Sequence, residues 1–373
     1  MRAEAPVSDD PGRDASTAGM KAGGHYDAHS EYQRRVIEGG DRTIRSLASE
    51  LDLAALAGPL TIADYGAGTG ATSVHAVRTA LEALRERQPD RPAVVIHNDV
   101  PTNDFSQLFR NVAGADGYLP RDGGSTFAMA AAGSFFTQVV PSASVHLGMC
   151  SNAAHWFREQ PSVELPDGIY FSEASGAARA QLADQAARDW QAFLEARGRE
   201  LAPGGRLLVQ GIATAGKAGE AVQVSAGRLL RVMGEVASQL VADGLLDREV
   251  LASYVFPVYC RTVAESTAPL RDQGPLAGTF GVISQEIDAV PNPYWEQFER
   301  DRDPRAYATT YVEFVRAFAE STMSAHLFEP GAVGIEPSAL ADEYFSRLRE
   351  ATVVAPAEGR YEAWVLRLAL ARI

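Results

Sequence analysis

Residues 60–72 read Leu-Thr-Ile-Ala-Asp-Tyr-Gly-Ala-Gly-Thr-Gly-Ala-Thr, an apolar run that ends in three glycines on alternate positions. Beyond it Val74, Ala76, Val77, Leu81 and Leu84 recur at helical spacing. The pattern predicts a strand, a tight turn and a helix. Glycines in such a turn let backbone come close to a ligand at the helix start, where amide groups lack intrahelical partners. The dinucleotide fingerprint G-x-G-x-x-G would need glycine at position 71, and Ala71 stands there. The spacing is instead G-x-G-x-G, with Asp64 two positions ahead of it. A glycine-rich turn of some other α/β protein remains an open reading of this stretch alone.

A chain of 373 residues suits one enlarged α/β domain, or a core with a cap. The net charge of −14 argues against a nucleic-acid track and against an anionic membrane surface. It leaves room for a small anionic substrate in a locally basic pocket. The two cysteines, Cys150 and Cys260, have no metal spacing, and a reducing cytoplasm is the simplest home for them. No run of about 18 apolar residues suggests a membrane span, and no signal start or internal repeat is visible.

Residues 1–22, rich in Ala, Asp, Gly, Pro and Ser, are expected to be disordered, and Met20 could be the true start. The polar stretch 23–33 reads equally as a surface N-cap region or as a lid facing ligand. A helix through Val36, Ile37, Ile44, Leu47 and Leu51 follows. A second strand, Ala93 to His97, runs into Asn98-Asp99-Val100-Pro101, where an aspartate can accept from both ribose hydroxyls; Asn98 and Pro101 also suit a plain turn. A capped helix is expected from Asn103 to Arg110. Gly133-Ser134-Phe135 breaks an apolar run, and a strand over 144–149 leads to His155-Trp156, which reads as a ligand position or as a satisfied core histidine. A long amphipathic helix is expected from Ala177 until Pro203-Gly204-Gly205 stops it, then a strand from Arg206 to Gln210. Helical periods return at about 219–248 and 301–326. The apolar end, Trp364 to Leu370, suits a last strand.

Several of these segments together resemble a family. Tyr26, Ser30 and Gln33 resemble its Y-x-x-N-S-x-x-Q block, with His29 in place of Asn. Asp64-Tyr65-Gly66 resembles its D-x-G cofactor loop, and Asn98 to Phe105 its N-D-L-P-x-N-D-F signature. Gly133-Ser134-Phe135-Phe136 is similar to G-S-F-Y, and His155-Trp156 to its H-W pair. These are motifs of the SABATH methyltransferases, and the similarity runs from about Gly23 to the C-terminus. The resemblance implies a class I S-adenosylmethionine (SAM) methyltransferase, a Rossmann-like α/β fold with a mainly parallel seven-stranded sheet and an α-helical cap. Residues 23–214 and 355–373 would form the core. Residues 215–354 would form the cap, with one sheet strand near 254–260. The resemblance implies that Tyr26, Ser30, Asp64, Gly66, Gly68, Asp99, Val100, Ser134 and Phe135 bind SAM. It places Gln33, Asn152, His155, Trp156, Arg158, Ile212 and Ala213 at a small-molecule acceptor, with a homodimer compatible.

At the acceptor end the chain departs from the family. Asn152 stands where carboxyl-methylating members carry Tyr, and Arg158 where a small polar residue is usual. A bacterial branch that resembles this family methylates a carbon of geranyl diphosphate with a Glu as base. Glu173 looks like that residue, with Arg158 reading phosphate oxygens and Mg2+ bridging them. His155 and Glu173 are then the expected catalytic residues, and Ala213 would leave room for the tail of a geranyl or farnesyl chain. The plainer reading makes Glu173 a solvated loop residue paired with Arg158. The alternative chemistry is carboxyl O-methylation of a small acid, which needs no base because a carboxylate, of pKa about 4, is already ionised. An NAD(P) oxidoreductase and a silent SAM-binding partner protein are the readings from other classes.

Overall fold

The computed structural model describes residues 30–54, 58–119, 125–216 and 222–373. Seven strands form one sheet: β1 (Leu60–Tyr65), β2 (Ala93–Asp99), β3 (Thr126–Ala132), β4 (Val145–Ser151), β5 (Leu201–Ile212), β6 (Phe280–Val290) and β7 (Ala363–Arg372). Their order across the sheet is β3-β2-β1-β4-β5-β7-β6. The first five run parallel, and β7 and β6 are antiparallel additions at one side. Strand order reverses between β1 and β4, so the loops after these two strands diverge and leave a crevice at their carboxyl ends.

Helices α1 (Glu31–Glu38), α2 (Asp41–Ser49), α3 (Ser73–Arg85), α4 (Phe105–Ala113) and α5 (Gly176–Glu200) flank the sheet. The single helix expected through Val36 and Leu51 is two, because Gly39 and Gly40 interrupt it. Ile44 and Leu47 of α2 and Val77 and Leu84 of α3 pack with Ile62, Val95 and Leu208 on one face. Trp190, Phe193 and Leu194 of α5 cover Tyr65, Val209 and Leu368 on the other. Burying each such side chain contributes roughly 1.5–3 kcal/mol. The cap is led by α6 (Gly227–Ala242), α7 (Pro304–Met323) and α8 (Pro337–Val354). Leu229, Met233, Tyr311, Val315, Leu340 and Tyr344 share its core with Tyr32 and Val36 of α1, so α1 belongs to both layers. Among the described residues no helix is long and apolar enough to cross a membrane.

Two expected boundaries moved. Helix α5 ends at Glu200, before Pro203, and Leu201 already pairs with Val145 of β4. The pairing then jumps to Leu147 with Arg206, so Ala202 to Gly205 bulge out and Gly204 takes a φ of +76°. The cap's sheet strand is not near 254–260. Pro257 breaks that apolar run, all its other side chains are buried, and its amides bond irregularly, Phe256 to the Ile169 carbonyl and Tyr259 to that of His155. The strand is β6, at 280–290, an edge strand whose side chains are mostly exposed and whose sequence signal is correspondingly faint.

Candidate active site

The crevice is assembled from the loops after β1, β2, β3 and β4, and local chemistry fixes each one. After β1 the chain turns through Gly66, Gly68 and Gly70, with φ of +76°, +56° and +80°. At Gly66 a Cβ would collide with the Ala153 methyl and lie 3.5 Å from the Phe135 ring. That space is the close approach the sequence pattern implied.

After β2, Asp99 closes over this loop. Its Oδ2 accepts from the Gly68 N–H at 2.7 Å and its Oδ1 from the Val100 N–H at 2.8 Å. Burial pushes the Asp99 carboxyl up to about 6, against the two backbone hydrogen bonds, which lower it. Asn98 donates to the Ala131 and Gly133 carbonyls, both at 2.8 Å, and so ties β2 to the turn after β3. Asn103 donates to the Gly68 carbonyl at 2.8 Å, and Asp104 caps α4 by accepting from the Gln107 N–H at 2.8 Å. The Asn98–Phe105 signature is thus a clamp around one aspartate. The turn holding Ser134 and Phe135 is pinned from below by Arg197, which donates to the carbonyls of Phe135 (2.8 Å) and Thr137 (3.0 Å). Arg197 is itself paired with Glu200 at 2.8 Å, both fully buried. No sequence motif pointed to Arg197 or Glu200.

Asp64 is engaged differently from expectation. Its Oδ2 lies 2.9 Å from Nδ1 of the fully buried His97, and Nε2 of His97 lies 2.9 Å from the Tyr118 hydroxyl. The aspartate therefore shares its charge with the sheet interior. Ser30 is buried at the start of α1. Tyr26 lies outside the described residues.

A second, mostly apolar pocket lies beside this crevice, between the cap and the sheet. Gln33, Asn152, His155, Trp156 and Ile212 line its sheet side, as expected, and Tyr170, Leu230, Phe256, Phe314, Phe318 and Tyr361 its cap side. Asn152 adopts a left-handed φ of +54°, which Asn tolerates, and donates through its amide to the Gln33 carbonyl at 3.3 Å. The His155-Trp156 pair is held by the buried connector, where the Tyr259 N–H donates to the His155 carbonyl at 2.9 Å. Gly211 makes room for the imidazole: a Cβ there would sit 3.1 Å from Nδ1 of His155. Burial, helped by the nearby Arg261 cation, holds the His155 ring down at about 3, so it is neutral at physiological pH. The Gln33 Oε1 is buried and has no partner among the described residues.

Three expected acceptor residues are elsewhere. Glu173 is exposed on the outer side of its turn, where its Oε2 accepts from the N–H groups of Ile169 (3.1 Å) and Tyr170 (3.0 Å). It caps the turn that presents Tyr170 to the pocket. Burial of part of the side chain raises its pKa, the two backbone bonds opposing. Arg158 extends into solvent, where its side chain meets Glu159 at 4.0 Å, and its backbone N–H donates to Asp189 at 3.0 Å. Ala213 is buried behind Ile212 and faces a separate cavity. Among the described residues no three His, Cys, Asp or Glu converge as a metal site.

Residues 16–370 match the family model for SAM dependent carboxyl methyltransferases. The loganic acid O-methyltransferase of Catharanthus roseus is 30% identical over 263 residues, 64% of this chain and 67% of that protein. The farnesoic acid carboxyl-O-methyltransferase of Arabidopsis thaliana is 28% identical over 264 residues, 66% of this chain and 72% of that one. A solved loganic acid methyltransferase with SAH superposes with a TM-score of 0.73 over 95% of this chain and 98% of its own, at 26% identity.

Proposed function

The chain belongs to the SAM-dependent carboxyl methyltransferase family, and from that membership we propose that it methylates the carboxylate of a small, largely apolar acid. The fold is that of a class I SAM methyltransferase, and SAM is the cofactor. The crevice suits it: a buried carboxylate at Asp99 for ribose hydroxyls, a loop with no room for side chains at Gly66, and Phe135 beside the loop. Bound SAM supplies an electrophilic methyl group.

The observation that carries the reading is the charge of the acceptor pocket. Among the described residues that line it there is no Asp, Glu, Lys or Arg. Its one titratable base, His155, is a weak one. A nucleophile that works there has to arrive already deprotonated, which a carboxylate does and a hydroxyl does not. The pocket then has only to hold it in line with the methyl group. Donors for its oxygens are the Trp156 indole N–H and the Gln33 amide. Tyr170, Phe256, Phe314 and Phe318 suit an apolar body. The prenyl diphosphate reading asks for the opposite lining. Its diphosphate would be buried without a described cation, and Glu173, its intended base, faces away.

Mass spectrometry of SAM reactions with a panel of aromatic and aliphatic acids, beside geranyl and farnesyl diphosphate, tests this. The expected products are methyl esters that saponify back to the acid, unaffected by EDTA. A carbon-methylated prenyl diphosphate, with no acid turned over, would overturn it.

A further inference from the structure

His155 and Ile212 also wall a second cavity of about 40 Å³, between β5, β7 and α5. Trp190, Gly211, Tyr259 and Arg261 complete it. Arg261 is only 8% exposed, yet no carboxylate lies within 4.0 Å of its guanidinium among the described residues. It donates to the Ala154 carbonyl and lies over the Trp190 ring at 4.7 Å. Asp189 and Glu265 act on its charge at longer range, and neither makes a contact ion pair with it. Asp189 accepts from the Arg158 N–H at 3.0 Å, and Glu265 from the Tyr259 hydroxyl at 2.8 Å and the Thr262 N–H at 2.7 Å. Burial lowers the Arg261 pKa only to about 10, so the cation persists at neutral pH. Nδ1 of His155, which also lines this cavity, is sealed from solvent and has no partner among the described residues.

A buried cation with no anion in contact is only partly compensated by carboxylates at longer range, and an anion that joins it offsets more of the cost. We infer that this cavity is a binding site for one small monovalent anion of halide size. The guanidinium of Arg261 would hold it, and His155 in its Nδ1–H tautomer would donate to it. Volume favours a small ligand: a water-sized guest needs about 10–15 Å³, so a cavity of about 40 Å³ suits an anion of halide size. The site stands apart from the choice of acceptor, because methyl transfer needs no inorganic anion.

The test is thermal unfolding of the full chain at constant ionic strength while gluconate is exchanged for chloride or bromide. Stabilisation of roughly 2 °C is expected once halide exceeds its Kd tenfold, rising with the logarithm of halide concentration beyond that. Arg261→Met should abolish that response, and Arg261→Lys should weaken it. Crystals grown in bromide should show an anomalous peak between Arg261 and His155, a readout that stands even if the Met variant does not fold. Equal melting in all three salts with no peak in the cavity, or a full halide response in Arg261→Met, would overturn the proposal.

Discussion

The Asp64 carboxylate lies 2.9 Å from the His97 ring, and the far nitrogen of that ring lies 2.9 Å from the Tyr118 hydroxyl, so three polar side chains form one line inside the sheet. Removing the middle member strands a charge that is 3% exposed. His97→Leu is expected to cost roughly 3 kcal/mol, because a buried charged acceptor is left unpaired, and Tyr118→Phe about 1 kcal/mol. Urea unfolding monitored by fluorescence measures both. A His97→Leu variant as stable as the wild type would show that Asp64 does not depend on the ring.

Gly66→Ala combines a left-handed backbone with a methyl group aimed at Ala153. Backbone strain of this kind costs of order 1–3 kcal/mol, and relief by shifting the loop would spoil the cofactor site. Calorimetry with S-adenosylhomocysteine should show at least a tenfold loss of affinity. Adding Ala153→Gly removes the collision but leaves φ unfavourable, so the double variant should recover only part. Full affinity in Gly66→Ala alone would contradict the crowding.

Asp99 gives the cofactor site a pH dependence. Its carboxyl is raised to about 6 by burial, and ribose hydroxyls need the ionised form as acceptor. Affinity for S-adenosylhomocysteine should therefore be level above pH 6 and fall as pH drops below it. Folding stability has the opposite slope for this group. The folded protein holds the proton more tightly than the unfolded chain, so this contribution is fully present below the ordinary value near 3.8 and is lost as pH rises through about 6. Asp99→Asn should flatten the affinity profile and weaken binding by roughly 1.5–3 kcal/mol, the range for hydrogen bonds to a charged group. A bend that survives in Asp99→Asn would assign the titration to another residue.

Glu173→Gln keeps an oxygen that can accept from Ile169 and Tyr170. Turnover should stay within about twofold, and stability within about 1 kcal/mol. A general base would instead lose about 10²–10⁴-fold. Steady-state rates of the purified variant distinguish the two, and a loss of that size would restore a catalytic role to Glu173. Trp156→Ala, by contrast, should raise the acceptor KM.

What was legible in the sequence was what neighbouring residues decide. The strand-turn-helix around Gly66 and the Asp104 cap of α4 each depend on a few adjacent positions, and both formed as read. Asn152, His155 and Trp156 closely follow β4 and Ile212 ends β5, so the carboxyl edge of the sheet brings them to one pocket, and Gln33 joins them from α1. Glu173 was misplaced because direction on a turn depends on which face the backbone presents, and sequence separation carries no such information. Ala213 was misplaced by a single step along the chain: Ile212 lines the pocket and Ala213 points behind it. Arg197 and Arg261 were overlooked because a buried arginine looks in sequence like any surface arginine.

Strand β6 belongs in sequence to the cap, yet it is zipped to β7 from Phe280–Arg372 to Val290–Ala363. At the far end of that zipper the Tyr32 hydroxyl donates to the Val290 carbonyl at 2.7 Å and accepts from the Ala363 N–H at 3.0 Å. The polypeptide therefore leaves the helical layer, enters the sheet, returns, and enters the sheet again. A door needs a hinge on one side only, and this layer is stitched at several seams. Swinging it open as a rigid leaf would tear a backbone ladder along its whole length, so traffic of acceptor in and product out must use local displacement of a rim rather than rotation of the roof.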